Sequence, residues 1–208
     1  LITGGTAYYF RQLMYGPATT PPADAAVREL VRRKLEELGK DGLHAELGAL
    51  DSTAASRIPA NDVYRVTRAL EVIYQTGRTL SSYTVQNTLR SDIEFLPICL
   101  VRPKPELDER IRLRVGVMFD EGLYDEVRGL FRIGADDTWP AMQGIGYKEF
   151  LAYRESGEMP LSRLKDEIIR TSMLYAKRQM TFFRSFSGVS FIHPDDQVEL
   201  RRVLDSFL

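Results

Sequence analysis

IEFLPICLV, residues 93–101, is the stretch where the apolar period of this chain changes. Before it, apolar residues recur every three or four positions, as on one face of a helix. Within it they run nearly unbroken, the pattern of a strand covered on both faces and hence of a parallel sheet. VSFIH (189–193) reads as a final strand. LIT (1–3) reads as a short opening strand, followed by the tight turn Gly4-Gly5 and by Thr6 as N-cap of a helix through Leu13. Strand, glycine turn and helix form an α/β element whose helix N-terminus offers free N–H groups to an anion or a base, although a GGT turn is more often structural than a site. The expected fold is therefore an α/β core in two pieces, 1–17 and 93–208, with a helical insertion at 18–92.

The insertion opens with the proline-rich GPATTPPAD (16–24). Val27, Leu30, Val31, Leu35 and Leu38 then hold one face of a helix over 25–38, and Gly39 stops it. Shorter helices are expected at 42–49 and 51–57. Asn61 caps NDVYRVTRALEVIYQTG (61–77), whose apolar face is Val63, Val66, Ala69, Leu70 and Ile73. Arg65 and Arg68 lie on another face, either solvated or neutralised by Asp62 and Glu71. In the core, the helix over 106–121 carries the stripe Leu107, Ile111, Val115, Met118 and Phe119. Arg114 falls roughly 20° outside that stripe on the helical wheel, so it either snorkels or meets an anion. A turn and helix over 122–139, a helix through Ser156, a long helix over 161–185 and an amphipathic terminal helix over 195–207 complete the pattern.

Bulk properties narrow the function. A net charge of −1 excludes attraction of nucleic acid by the whole molecule, so any such binding must use local patches. No apolar run approaches the roughly 20 residues that span a bilayer, so no membrane partner is expected. The single cysteine, Cys99, cannot form an internal disulfide, which points to a reducing, cytoplasmic setting. The chain opens without methionine inside an apolar strand, which predicts that it is the C-terminal portion of a longer protein.

One patch stands out. TSMLYAKRQMTFFRSF (171–186) contains Lys177, Arg178 and Arg184 and no acid. On a helix, Leu161, Leu164, Ile168, Ser172, Tyr175, Ala176, Gln179, Phe183 and Phe186 share one face, while Arg170, Lys177 and Arg184 form a basic ridge on the other. Two readings fit: a solvated helix with one satisfied core glutamine, or a ridge facing phosphates. His44 and His193 lie far apart without ligands at metal spacing, so no metal site is expected. Neither a GxSxG elbow nor a GxxxxGK[ST] loop is present, and the residues alone do not reach a reaction.

GGTAYYF (4–10), PPADAAVR (21–28), NDVYRVTRALEVIYQTGR (61–78), MQGIGYKEF (142–150) and YAKRQMTFFR (175–184), in this order, resemble the tRNA dimethylallyltransferase (tRNA isopentenyltransferase) family. The resemblance implies a P-loop NTPase/kinase-like parallel-sheet core with a helical insertion that grips the tRNA anticodon stem-loop. It implies transfer of a dimethylallyl group from dimethylallyl diphosphate to N6 of adenine 37, with Mg2+ bound mainly through the diphosphate and the P-loop, in a monomer. The tRNA contacts it implies are Thr6, Arg28, Tyr64, Arg65, Val66, Thr67, Arg68, Gly144, Ile145, Gly146, Tyr147, Lys148 and Glu149. The last block adds Lys177, Arg178, Gln179, Met180, Thr181, Phe182, Phe183 and Arg184. Arg114 matches the arginine that faces the diphosphate. The family's P-loop threonine and its general-base aspartate are expected upstream of Leu1, so these residues alone are expected to be inactive. Departures are Asp51-Ser52 for a usual Asp-Pro, Gly116 for an aspartate after the RV arginine, and Phe182 for a common tryptophan. A non-catalytic RNA-binding fragment and an adenylate isopentenyltransferase acting on free nucleotide are the competing readings. The large helical insertion weighs against the latter, because a free nucleotide has no stem to grip.

Overall fold

A computed structural model describes residues 1–17, 19–83, 88–154 and 160–207. In chain order the longer elements are α1 (Ala7–Tyr15), α2 (Ala25–Leu50), α3 (Ser52–Ala55), α4 (Val63–Thr76), β1 (Ile98–Leu100), α5 (Lys104–Asp120), α6 (Leu123–Arg132), α7 (Lys148–Leu151), α8 (Leu161–Phe183), β2 (Ser190–Ile192) and α9 (Gln197–Asp205). They fall into two compact units, Leu1–Tyr8 with Glu94–Leu208, and Tyr9–Ile93.

In the first unit β1 and β2 pair in parallel, with Ile98 opposite Ser190, Cys99 opposite Phe191 and Leu100 opposite Ile192. The strand is shorter than the apolar run because Pro97 has no N–H to give; its carbonyl still accepts the Ser190 N–H at 3.0 Å. Residues 1–3, expected as a strand, do not form one. Leu1 and Ile2 are exposed, and among the described residues no neighbouring strand takes up their backbone groups. The core of this unit gathers Val115 and Phe119 of α5, Leu123 and Val127 of α6, Phe150 of α7, and Leu164 and Ile168 of α8. Phe119 and Phe150 stack with ring centroids 6.2 Å apart. Of the stripe expected on α8, Leu164, Ile168 and Phe186 are buried and Leu161 and Tyr175 are exposed, and Leu164 and Ile168 are the ones that join this core.

In the second unit α2 packs on α4, burying Val31, Leu43 and Leu47 against Val66, Ala69 and Leu70. The stop expected at Gly39 is present as a break (φ 66, ψ 177) between two helical stretches of α2. The N-cap of α4 is Asp62 rather than Asn61: its carboxylate accepts the Arg65 N–H at 3.2 Å, and a negative charge suits a helix N-terminus. Gly77 closes the helix in the left-handed region (φ 69), donating its N–H to the Ile73 carbonyl at 2.8 Å. Asp51 is buried, accepting the Ala54 N–H at 2.9 Å and the Ser81 N–H at 2.8 Å. His44 is structural: its Nε2 lies 2.8 Å from the Ile58 carbonyl oxygen and donates to it.

Candidate nucleic-acid interface

The second half of α8 presents a basic surface in the first unit. No acidic residue occurs between Glu167 and Asp195. Lys177, Arg178 and Arg184 are exposed and form no ion pair among the described residues. On α5 and α9, by contrast, Lys104 faces Asp108 and Arg202 faces Glu199. Unopposed cations on a helix are free to meet phosphate oxygens. Thr181 is also exposed, its hydroxyl donating to the Lys177 carbonyl at 3.0 Å, and Met180 is half-buried. Phe182 and Phe183 each meet the buried Phe186 edge-on with centroids 5.6 Å apart, which anchors the C-terminal end of the helix. Gln179 has found its partner: Nε2 donates to the Gly5 carbonyl at 2.6 Å. The glycine turn before α1 is thereby held against α8, with Thr6 exposed at its tip.

The GIGYKE segment is a turn fixed from within. Gly146 adopts φ 100 and donates its N–H to the Glu149 carboxylate at 2.9 Å. Both residues are buried, so they shape the turn rather than present a contact, while Gly144 and Lys148 are exposed. Ile145 packs against the core, and Tyr147 donates its hydroxyl to Glu126 at 2.7 Å, a carboxylate neighbour that pushes its pKa up. Arg114 is exposed on α5 and makes no ion pair among the described residues, so it is not held by packing.

A cluster that sequence reasoning missed sits beside β2. Glu106, His193 and Asp195 bring ligand atoms within 4.8 Å of one another. Arg102 lies among them, bonded to Glu106 and reaching Asp195 at 3.2 Å. Hydrogen bonding from His193, and then from Arg102, holds the Glu106 carboxyl below its usual range. The Arg102 guanidinium bridges both carboxylates and occupies their oxygens, so the arrangement is an ion-pair clamp rather than a cation site. HPD at 193–195 was the local signal, but Glu106 is 87 residues away from its histidine partner.

In the second unit the YRVTR block divides. Tyr64 is exposed by 79%, Arg65 is exposed, and Val66 is core. Thr67 is half-buried with its hydroxyl on the Tyr64 carbonyl at 3.0 Å. Arg65 lies 3.5 Å from Asp62, whereas Arg68 is half-buried, 3.3 Å from Glu71 and bonded to the Pro21 carbonyl. Arg28 is exposed in the first turn of α2. Exposed tyrosine with exposed arginine is a surface that can stack on bases and neutralise phosphate.

An α/β core with a small parallel sheet, joined in one chain to a helical unit and carrying a helix whose second half is basic and without acids, defines a class: α/β proteins with a helical insertion. Residues 1–186 match the family model "IPP transferase", and the chain belongs to that family. It is 42% identical over 205 residues to the tRNA dimethylallyltransferase of Borrelia turicatae, covering 99% of this chain and 67% of the relative. The Thiobacillus denitrificans tRNA dimethylallyltransferase is 39% identical over 190 residues, covering 90% and 60%. The chain thus spans about two thirds of the length of the curated relatives it matches. Among solved structures, the tRNA isopentenylpyrophosphate transferase of Bacillus halodurans superposes with TM-score 0.55 at 30% identity over 96% of this chain and 62% of that one. The Staphylococcus epidermidis tRNA delta(2)-isopentenylpyrophosphate transferase gives 0.54 at 30% identity over 99% and 68%. A eukaryotic dimethylallyltransferase acting on tRNA shares the fold, with TM-score 0.69 at 24% identity over 98% and 55%.

Proposed function

We propose that the protein transfers a dimethylallyl group from dimethylallyl diphosphate to N6 of adenine 37 beside the anticodon of a tRNA, releasing diphosphate. The observation that carries this reading, beyond family membership, is the basic ridge of α8, unpaired among the described residues, with a glycine turn pinned against it. In the reaction the bond between the allylic carbon and the diphosphate oxygen breaks and the N6–carbon bond forms. One N6 proton leaves to a base, and the departing diphosphate needs cationic stabilisation. Arg114 suits that last task, being exposed and unpaired among the described residues, and Lys177, Arg178 and Arg184 suit the RNA backbone. Arg28, Tyr64 and Arg65 suit the anticodon stem-loop, with the target base taken out of its stack.

The P-loop NTPase-like core, the upstream threonine and the general-base aspartate belong to this proposal, as do a cytoplasmic monomer and Mg2+. No helix among the described residues is long and apolar enough to cross a membrane. The Glu106–His193–Asp195 group does not suit Mg2+, because Arg102 occupies it and hard cations demand free oxygen ligands. Any Mg2+ is therefore assigned to the diphosphate and the upstream segment. The test is incubation of the full-length protein with dimethylallyl diphosphate, Mg2+ and an anticodon stem-loop, read by the mass of one added dimethylallyl group. Binding without product favours an RNA-binding role without chemistry. Prenylation of AMP in preference to the stem-loop favours a free-nucleotide enzyme. Either result overturns the proposal.

A further inference from the structure

Gln179 and Gly5 are separated by 174 residues yet bonded at 2.6 Å. The contact is close enough to dictate both residue types. A Cβ built on Gly5 would lie 2.7 Å from Gln179 Nε2, nearer than any carbon and nitrogen pack, so a larger residue displaces the amide. Among side chains of this length, glutamine supplies a neutral N–H donor to a carbonyl; glutamate would set a carboxylate against it. The donor end is fixed, because α8 is rooted by the buried Leu164 and Ile168 at one end and by Phe186 just past the other. The acceptor end is short: Gly5, then exposed Thr6, then buried Ala7, where α1 begins. One hydrogen bond therefore joins the basic helix to the residue before Thr6.

We infer that Gln179 is a positioning residue: it orients the Gly4-Gly5-Thr6 turn through the Gly5 carbonyl. This inference rests on the transferase reading given above and assigns the turn, with Thr6, to the place where the acceptor base is held. An amide spent on Gly5 has its second N–H and its oxygen left, but its direction is set by the turn.

The experiment uses the full-length protein with an anticodon stem-loop and dimethylallyl diphosphate. Gln179→Met keeps the length and removes the donor. It is expected to lower kcat about 10- to 100-fold, the scale of a small misplacement at a reacting centre. The stem-loop dissociation constant should stay within about twofold, well inside one decade. Amide hydrogen exchange at residues 5–8 should accelerate, a readout independent of turnover. Gly5→Ala, which expels the amide, should reproduce these effects, and Gly5→Ala with Gln179→Ala should be no slower than Gly5→Ala alone, as for two residues in one interaction. A raised dissociation constant with kcat intact, unchanged exchange at 5–8, or additive losses in the double variant would each overturn the inference. Should the wild-type protein transfer nothing, the transferase reading fails, while the exchange measurement still decides whether Gln179 orders the turn.

Discussion

Arg65 and Arg68 sit one turn apart on α4, and elementary spacing treats them alike. Their surroundings do not. Arg68 is half-buried between Glu71 and the Pro21 carbonyl, so it ties the proline-rich entry of the helical unit to α4. Arg65 projects outward with a loose partner in Asp62. Arg68→Ala is expected to destabilise the protein by about 1–3 kcal/mol, since the carbonyl and Glu71 lose their donor; urea denaturation reads this. Arg65→Ala should leave stability within about 0.5 kcal/mol and lower the slope of log affinity for tRNA against log salt by about 1. The opposite pattern would mean that Arg68, not Arg65, faces the RNA. Arg114 offers a parallel case: exposed and unpaired, it has no structural duty visible among the described residues. Arg114→Ala should leave the melting temperature unchanged and lower turnover more than tRNA affinity, and unchanged turnover would remove it from the diphosphate site.

Helices here are bounded by residues whose backbone demands can be tested directly. Gly39 breaks α2 at φ 66, ψ 177, a region that only glycine enters without strain. Gly39→Ala should cost about 1–3 kcal/mol. Gly116, inside α5, has open space where a Cβ would lie, so Gly116→Ala should stabilise by about 0.5–1 kcal/mol. Thermal melts of the two variants should move in opposite directions. Asp51 sets the pH response of the helical unit. Burial raises its pKa, but the N–H groups of Ser81 and Ala54 outweigh burial and hold the carboxyl below its usual value. A depressed carboxyl contributes stability that is complete above the unfolded pKa, near 3.9, and is lost as pH falls through the folded value. Asp51→Asn, which sets an NH2 against one of these two N–H donors, should therefore lose about 1–3 kcal/mol at neutral pH and show a weaker further loss on acidification from pH 5 to 3. Denaturation curves at the two pH values check both parts. The ends of these helices were legible because glycine, proline and caps act within a few residues. Asp62 displaced Asn61 as the cap by one position, a choice made by the charge it offers the helix N-terminus. Asp51 to Ser81 spans 30 residues, and no local pattern reports it.

At the scale of the molecule, the period change at residues 93–101 and the second strand at 190–192 located the parallel sheet, and the α4 stripe located the core of the helical unit. What local periodicity could not supply was which distant groups close on each other. Gln179 on Gly5 and His193 on Glu106 are tertiary facts, invisible to a window of a dozen residues. The basic ridge lies between these cases: its charges were legible, but that no acid among the described residues folds back to neutralise them is a property of the fold. A chain of net charge −1 gains nothing from bulk attraction to RNA, so the proposed binding would have to come from a few such cations. Each phosphate they neutralise adds about 0.9 to the salt slope on a duplex and about 0.7 on a single strand. Lys177→Gln with Arg184→Gln should accordingly lower the slope for tRNA by about 1.4–1.8, with unfolding midpoints unchanged because both side chains are exposed and neither is paired among the described residues. The same substitutions should lower affinity most at low salt and least at high salt, as release of condensed counterions requires. A slope that stays put while affinity drops would assign the two residues to a neutral contact, and the ridge would no longer be the surface on which RNA binding depends.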